Sequence, residues 1–185
     1  RRDAEAEAPD RVVTGGYSLT ALRLGTTGIM RIDDSLTYNP VANVLEVDDL
    51  SLRAGNRERP CVRLTRDWVL RSKAAGDAEL EIDGLWVSAL RPRSLILRGD
   101  YETVTLRNCT LDPGSTVPGS TRIRGGPVTL AVEATIELLR IERSILGALR
   151  VRGGGHVERL EIVDSSLQAV ATPAPVLRMG DGTAV

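Results

Sequence analysis

One short phrase is written five times along this chain, and it restricts the possible folds more than any other feature. It reads L-E-V-D-D-L-S-L from Leu45, L-E-I-D-G-L-W-V from Leu80, V-T-L-R-N-C-T-L from Val104, L-R-I-E-R-S-I-L from Leu139 and L-E-I-V-D-S-S-L from Leu160. Apolar and polar residues alternate in each copy, as on a strand with one buried face. The alternation breaks once, at Asp49, Gly84, Asn108, Arg143 and Asp164, and then resumes. Gly, Asn and Asp tolerate a left-handed backbone, so the break reads as a sharp corner between two strands. Arg143 is the exception. A unit that repeats in this way describes a chain coiling and stacking on itself.

A second phrase alternates with the first. It appears as A-L-R-L-G from Ala21, S-L-I-L-R-G from Ser94, T-R-I-R-G-G from Thr121, A-L-R-V-R-G-G from Ala148 and V-L-R-M-G from Val176, each a short strand closed by Gly. One coil then holds three short strands. An earlier copy of the first phrase, M-R-I-D-D-S-L from Met30, is degenerate. The Pro- and Gly-rich run D-P-G-S-T-V-P-G-S from Asp112 marks an excursion from the coil. The expected fold is all-β, a right-handed single-stranded parallel β-helix (a β-solenoid) of about six to seven coils. Residues 1–15 read as a flexible N-terminal tail or linker, because R-R-D-A-E-A-E-A-P-D-R has no large apolar side chain before Val12. Residues 16–185 read as the β-helix domain. A β-sandwich would need hairpin signals between the alternating runs, and Asp83-Gly84 sits inside the repeated unit instead. A helical solenoid would need a 3.6-residue period, which the phrases lack.

Composition agrees with a thin aliphatic core. Among 185 residues there are no Phe, two Trp and three Tyr, so Leu, Ile, Val and Ala must fill the interior. The charges, 24 basic against 25 acidic, nearly cancel, which argues against a globally electrostatic nucleic-acid binder. Nor does any apolar run approach the roughly 20 residues that span a bilayer. No signal peptide is visible, and the sequence opens without Met, so a processed or excised piece is expected. Cys61 and Cys109 lack metal-type spacing and read as buried small hydrophobes.

Three sets of residues are candidates for chemistry. Stacking the first phrase aligns Glu46, Glu81 and Glu161 with Thr105 and Arg140, and aligns Asp48, Asp83, Arg107 and Glu142 in the next outward row. Its functional reading is a lyase-like cluster of Asp83, Arg107 and Glu142, with acids holding calcium and Arg107 abstracting a proton. The plainer reading, and the favoured one, is a surface ladder in which Arg107 relieves repulsion between Asp83 and Glu142. The second phrase carries Arg23, Arg98, Arg122, Arg124, Arg150, Arg152 and Arg178. In register, Arg98, Arg124 and Arg152 would line a basic stripe for a polyanionic glycan or an acidic protein, against the plainer reading of a solvated face. Trp86 points outward, as a sugar platform or partner contact, or under a neighbouring loop. Trp68 is similarly ambiguous. His156, the only His, follows three glycines, which does not fix an imidazole as a triad requires. No phosphate-binding glycine motif is present, and without aromatic platforms along the stripe nucleic acid is a poor fit. No cofactor or metal is expected.

The phrases R-I-D-D-S-L-T-Y from Arg31, L-E-I-D-G-L-W-V-S from Leu80, L-R-N-C-T-L-D-P-G from Leu106, I-E-R-S-I-L-G-A-L-R-V from Ile141 and L-E-I-V-D-S-S-L-Q-A from Leu160 resemble those of a large bacterial family of long, mostly uncharacterised proteins with a parallel β-helix segment. Some of these are associated with phage-tail-like or contractile-injection gene clusters. The resemblance runs from about Gly28 to Ala171. It implies a structural or attachment module, on an extracellular particle or cell surface, or cytoplasmic before assembly. The positions it carries over, Cys109, Pro113, Gly114 and Ser144, are fold positions and not catalytic ones. The expected function is that of a non-enzymatic module of a larger assembly. Its partners would be other protein components or its own chains, met through the β-helix ends and through loops near Asn56 and Asp112. The alternative is a carbohydrate-active β-helix that binds or cleaves an acidic polysaccharide.

Overall fold

Alternating aliphatic and polar residues make strands that bury one face, and here the strands pair with copies of themselves from the next turn. The structure is a computed structural model that describes residues 8–19, 27–40, 42–73, 76, 78–116, 123–168, 176–179 and 183–184. The described residues form strands and turns without a helix. The fold is an all-β stack of long, parallel-paired sheets with the character of a β-solenoid.

Three faces run along the stack. The first is built by β1 (Arg11–Val13), β3 (Gly28–Ile32), β6 (Leu50–Ala54), β9 (Ala78–Asp83), the second half of β11 (Arg93–Arg107), the second half of β15 (Val128–Glu142) and β18 (His156–Val163). On the second face lie β2 (Tyr17–Ser18), β4 (Thr37–Asn39), β7 (Cys61–Leu64), β10 (Trp86–Ala89), β12 (Thr110–Leu111), β16 (Ile145–Leu146) and β19 (Ser166–Leu167). The third holds β5 (Val44–Val47), β8 (Trp68–Ser72), the first halves of β11 and β15, β17 (Leu149–Val151) and β20 (Leu177–Met179). Because β11 and β15 pass unbroken from the third face to the first, those two faces are one bent sheet. Gly99 marks the bend in β11 at φ +87°, and a Cβ there would run into Ser72 of the turn before.

Register sets the core. On the first face Met30, Leu52, Ile82, Leu106, Ile141 and Ile162 form one column. The second face contributes Tyr38, Val62, Val87, Leu111, Leu146 and Leu167, and the third contributes Leu45, Leu70, Leu97, Val132, Val151 and Met179. Met30 through Ile141 are fully buried, whereas Ile162 is 39 % exposed, on the last first-face strand among the described residues. Trp68 is core, on β8, and Tyr101 donates its hydroxyl to the Leu70 carbonyl at 3.0 Å.

Corners between the first and second faces fall where the sequence puts them. Gly84, Asn108, Arg143 and Asp164 have φ of +78°, +51°, +46° and +49°. Arg143 is thus a full corner residue despite its side chain. Behind the corners at Arg143 and Asp164 a serine hydroxyl ties two turns together. Cys109 N–H donates to Ser144 Oγ at 3.0 Å, and Ser144 N–H donates to Ser165 Oγ at 3.0 Å. Each hydroxyl in turn donates to a backbone carbonyl, Ser144 to Glu142 at 2.7 Å and Ser165 to Val163 at 2.8 Å. On the outside Arg143 Nε donates to Asn108 Oδ1, and Asn108 Nδ2 to Asp83 Oδ1, at 2.9 and 2.7 Å.

Several expectations are corrected. Leu50, not Leu45, is the partner of Leu80, so the earliest copy of the first phrase is split: Leu45–Val47 lies on the third face and Leu50–Leu52 on the first. Asp49 therefore ends a different corner and is not left-handed. The copy from Met30 is shifted likewise, with Met30 beside Leu52. The Thr121 copy is not a rung of the third face: β14 (Ile123–Arg124) pairs antiparallel with β13 (Ser115–Thr116), forming a hairpin within the 112–127 excursion. Paired structure begins inside the expected tail, since β1 pairs with β3. Residues 1–7 and the Ala21 copy lie outside the described residues. β21 (Thr183–Ala184) pairs antiparallel with β20.

Replacing Ser144 with Ala should leave the Cys109 N–H buried without an acceptor. A loss of about 1–3 kcal/mol is expected, read as a lower urea midpoint with an unchanged denaturant slope.

Candidate functional site

Residues on the outward rows of the first face are brought together as the alternation requires. Ser51, Glu81, Thr105, Arg140 and Glu161 are in register, and so are Arg31, Arg53, Asp83, Arg107 and Glu142. Ser51 and Arg53 take the places that Glu46 and Asp48 were expected to fill. The two rows exchange charge in one chain. Arg53 reaches Glu81 at 2.6 Å, Arg107 lies between Glu81 at 3.5 Å and Glu142 at 3.1 Å, and Arg140 lies between Glu142 at 3.7 Å and Glu161 at 2.8 Å. Arg159 closes it at Glu161, 2.8 Å away.

This geometry bears on the lyase-like trio. Asp83, Arg107 and Glu142 share one row, but Arg107 pairs with Glu81 and Glu142, while Asp83 accepts a hydrogen bond from Asn108. The Glu142 carboxylate is divided among Arg107, Arg140 and, at 3.9 Å, Arg143. Carboxylates committed to guanidinia make an interlocked ladder between turns. Among the described residues no group of three His, Cys, Asp or Glu is placed to hold a metal ion.

The third face carries a second ladder where a basic stripe was expected. Arg98 and Arg152 both bind Glu133, at 2.7 and 3.1 Å, and Arg71 approaches Glu46 at 3.4 Å. The row reads Glu46, Arg71, Arg98, Glu133 in register, so glutamates interrupt the arginines. Arg150 and Arg178 face each other in a separate row, next to Ala131. Arg124 lies on the hairpin strand β14, apart from that face. Arg23 and Arg122 are outside the described residues.

Ionisation follows the ladders. Burial pushes the Glu81 carboxyl up, but hydrogen bonds from Ser51 and Arg53 and the charges of Arg53 and Arg107 outweigh it, holding Glu81 below the ordinary carboxylate value. For Glu133, burial is likewise outweighed by Arg98 and Arg152. Glu161 is lowered first by its hydrogen bond from Arg140. Cys109 behaves oppositely: burial pushes its thiol up to about 12. Both cysteines are free and buried, with Cys61 Sγ 3.2 Å from Ser88 Oγ.

The second face is different in kind. Its outward row runs Thr37, Cys61, Trp86, Thr110, Ile145 and Ser166, with no charge in it. Trp86 is 45 % exposed, so no loop covers it. His156 lies on β18 of the first face, opposite Thr135. No helix among the described residues is long and apolar enough to cross a membrane. Comparisons with protein-family models, with curated proteins and with solved structures find no match for this chain.

Two outcomes are expected. Stabilisation from the lowered carboxyls is complete above their unfolded value near 4.5 and is lost as pH falls through the lower folded values, so the urea midpoint should drop on acidification through that range. In Glu81→Gln that drop should be shallower. Native protein should leave Cys109 unmodified by a thiol reagent at pH 8, and urea should expose it.

Proposed function

We propose that this chain is a right-handed parallel β-helix of about seven coils serving as a non-enzymatic structural and attachment module of a larger bacterial surface, phage-tail-like or injection-related assembly. One strand per coil in the seven-stranded second face supports the coil number, and the crossover preference of parallel strands supports the hand. The family resemblance supports the setting. The observation that carries the role is the β13–β14 hairpin. It leaves the stack after Leu111, and the chain rejoins at Val128 with the parallel pairing of β11 and β15 intact. A rigid stack with a hairpin inserted at one corner is a scaffold that displays a contact segment. The ion ladders support the same role, since they fasten turn to turn across the rod. Partners are other protein components or further copies of this chain. Binding of an acidic polysaccharide is a second reading, favoured by the exposed Trp86 and nearby arginines.

The test replaces residues 113–126 with a short Gly-Ser linker in the host and maps neighbours by cross-linking mass spectrometry. The variant should keep its circular dichroism and melting profile yet lose cross-links to defined assembly components. An unchanged cross-link map, or no specific neighbour for the native chain, overturns the attachment role.

A further inference from the structure

Most outward arginines of the first and third faces are tied to glutamates, which makes the exceptions informative. At the far end of the second face, Arg63, Arg91 and Arg93 surround a shallow depression floored by Leu64 and edged by Leu90, which is 78 % exposed. Arg93 is fixed over it by hydrogen bonds to the Thr65 and Pro92 carbonyls, at 3.1 and 3.4 Å. Arg63 and Arg91 have no carboxylate partner among the described residues. The acids bordering this area, Asp67 and Asp112, accept backbone N–H bonds from Ser94 and Gly114. Two guanidinia are thus free to take an external oxyanion by a two-pronged bond.

A second observation points the same way. Register places Ser88 beside Arg63 and Trp86 beside Cys61 on the strand pair β7–β10. Trp86 therefore lies two residues along the strand from Ser88, about 7 Å, and Arg63 lies one strand spacing across, about 4.8 Å. An exposed indole offers an apolar plate, Ser88 offers a hydroxyl, and Arg63, with Arg91 at the corner beyond Ala89, offers positive charge. A bare phosphate or a nucleotide-free polyanion would use the arginines alone. A ligand that uses all of them has saturated rings with an apolar C–H face, hydroxyls and regularly spaced acids.

We propose that the β7–β10 surface of the second face is a binding site for an anionic polysaccharide. A sugar ring stacks on Trp86, a hydroxyl meets Ser88, and carboxylate or sulfate groups are held by Arg63 and Arg91 with Arg93 behind them. The site lies away from the Asp83, Arg107 and Glu142 row, and binding there needs no bond cleavage. The inference deepens the polysaccharide reading and does not depend on the hairpin, so either stands if the other fails.

The test is calorimetric titration of the full chain with polygalacturonate, dextran sulfate, neutral dextran and polyphosphate. Variants are Trp86→Ala, Trp86→Tyr, the pair Arg63→Gln with Arg91→Gln, and Arg159→Gln as a control on the first face. Binding of polygalacturonate or dextran sulfate is expected, weakened at least tenfold by Trp86→Ala and by the arginine pair. Trp86→Tyr should restore part of it and Arg159→Gln should leave it unchanged. Neutral dextran should not bind. Melting curves confirm that each variant is folded. No binding of either acidic polymer overturns the proposal. So does binding that ignores Trp86 and treats polyphosphate alike, which would mark the surface as a non-specific anion patch.

Discussion

Parallel backbone pairing between one turn and the next is the interaction on which everything else here depends. It fixes which residues lie above one another, and so turns a one-dimensional pattern into columns. Inward, the columns are Leu, Ile, Val and Met with one Tyr, the aliphatic side chains each contributing about 1.5–3 kcal/mol when fully buried. Outward, the same register creates the ladders of Arg and Glu. Those pairs are half-exposed, and each contributes about 0.2–1 kcal/mol, so the aliphatic columns hold the stack and the ladders trim it. The Cys109–Ser144–Ser165 chain belongs with the core, because its buried N–H groups have no other acceptor.

Legibility in the sequence differed by level. Strand identity and the inward residues Ile82, Leu106 and Ile141 were readable because a period of two is a direct image of a half-buried strand. The corners at Gly84, Asn108 and Asp164 were readable from residue type. Arg143 was not, since its left-handed backbone is imposed by the aligned strands on both sides and by its bond to Asn108. Face assignment was harder. L-E-V-D-D-L-S-L fits the first-to-second corner and the third-to-first corner equally well, and only the partner of Leu50 decides between them. The arginine stripe failed for a related reason: Glu133 is far from Arg98 and Arg152 in sequence but beside both in the stack. The placement of Arg63 beside Ser88 is not legible in the sequence because it crosses between strands with no shared phrase.

The three faces therefore divide the surface by chemistry. The first and third carry ladders in which most outward arginines are paired with glutamates of neighbouring turns. The second keeps the Trp86 indole turned to solvent, with Arg63, which has no carboxylate partner among the described residues, on the neighbouring strand. The outward row of the second face from Thr37 to Ser166 has no such ladder.

The corner that bears the hairpin has a further consequence. In the preceding turn the same corner is closed by Leu90, Arg91 and Pro92 alone, between β10 and β11. In the next it takes residues 112–127, and the rungs on either side keep their register. Lengthening a loop costs little, about 0.6 kcal/mol for each doubling, when its two ends are already held by the stack. Asp112 and Val128 are such ends, joined by a backbone hydrogen bond of 2.7 Å. A foreign epitope or small domain with closely spaced termini could be spliced between them, making the rod a carrier whose cargo changes while its shaft does not.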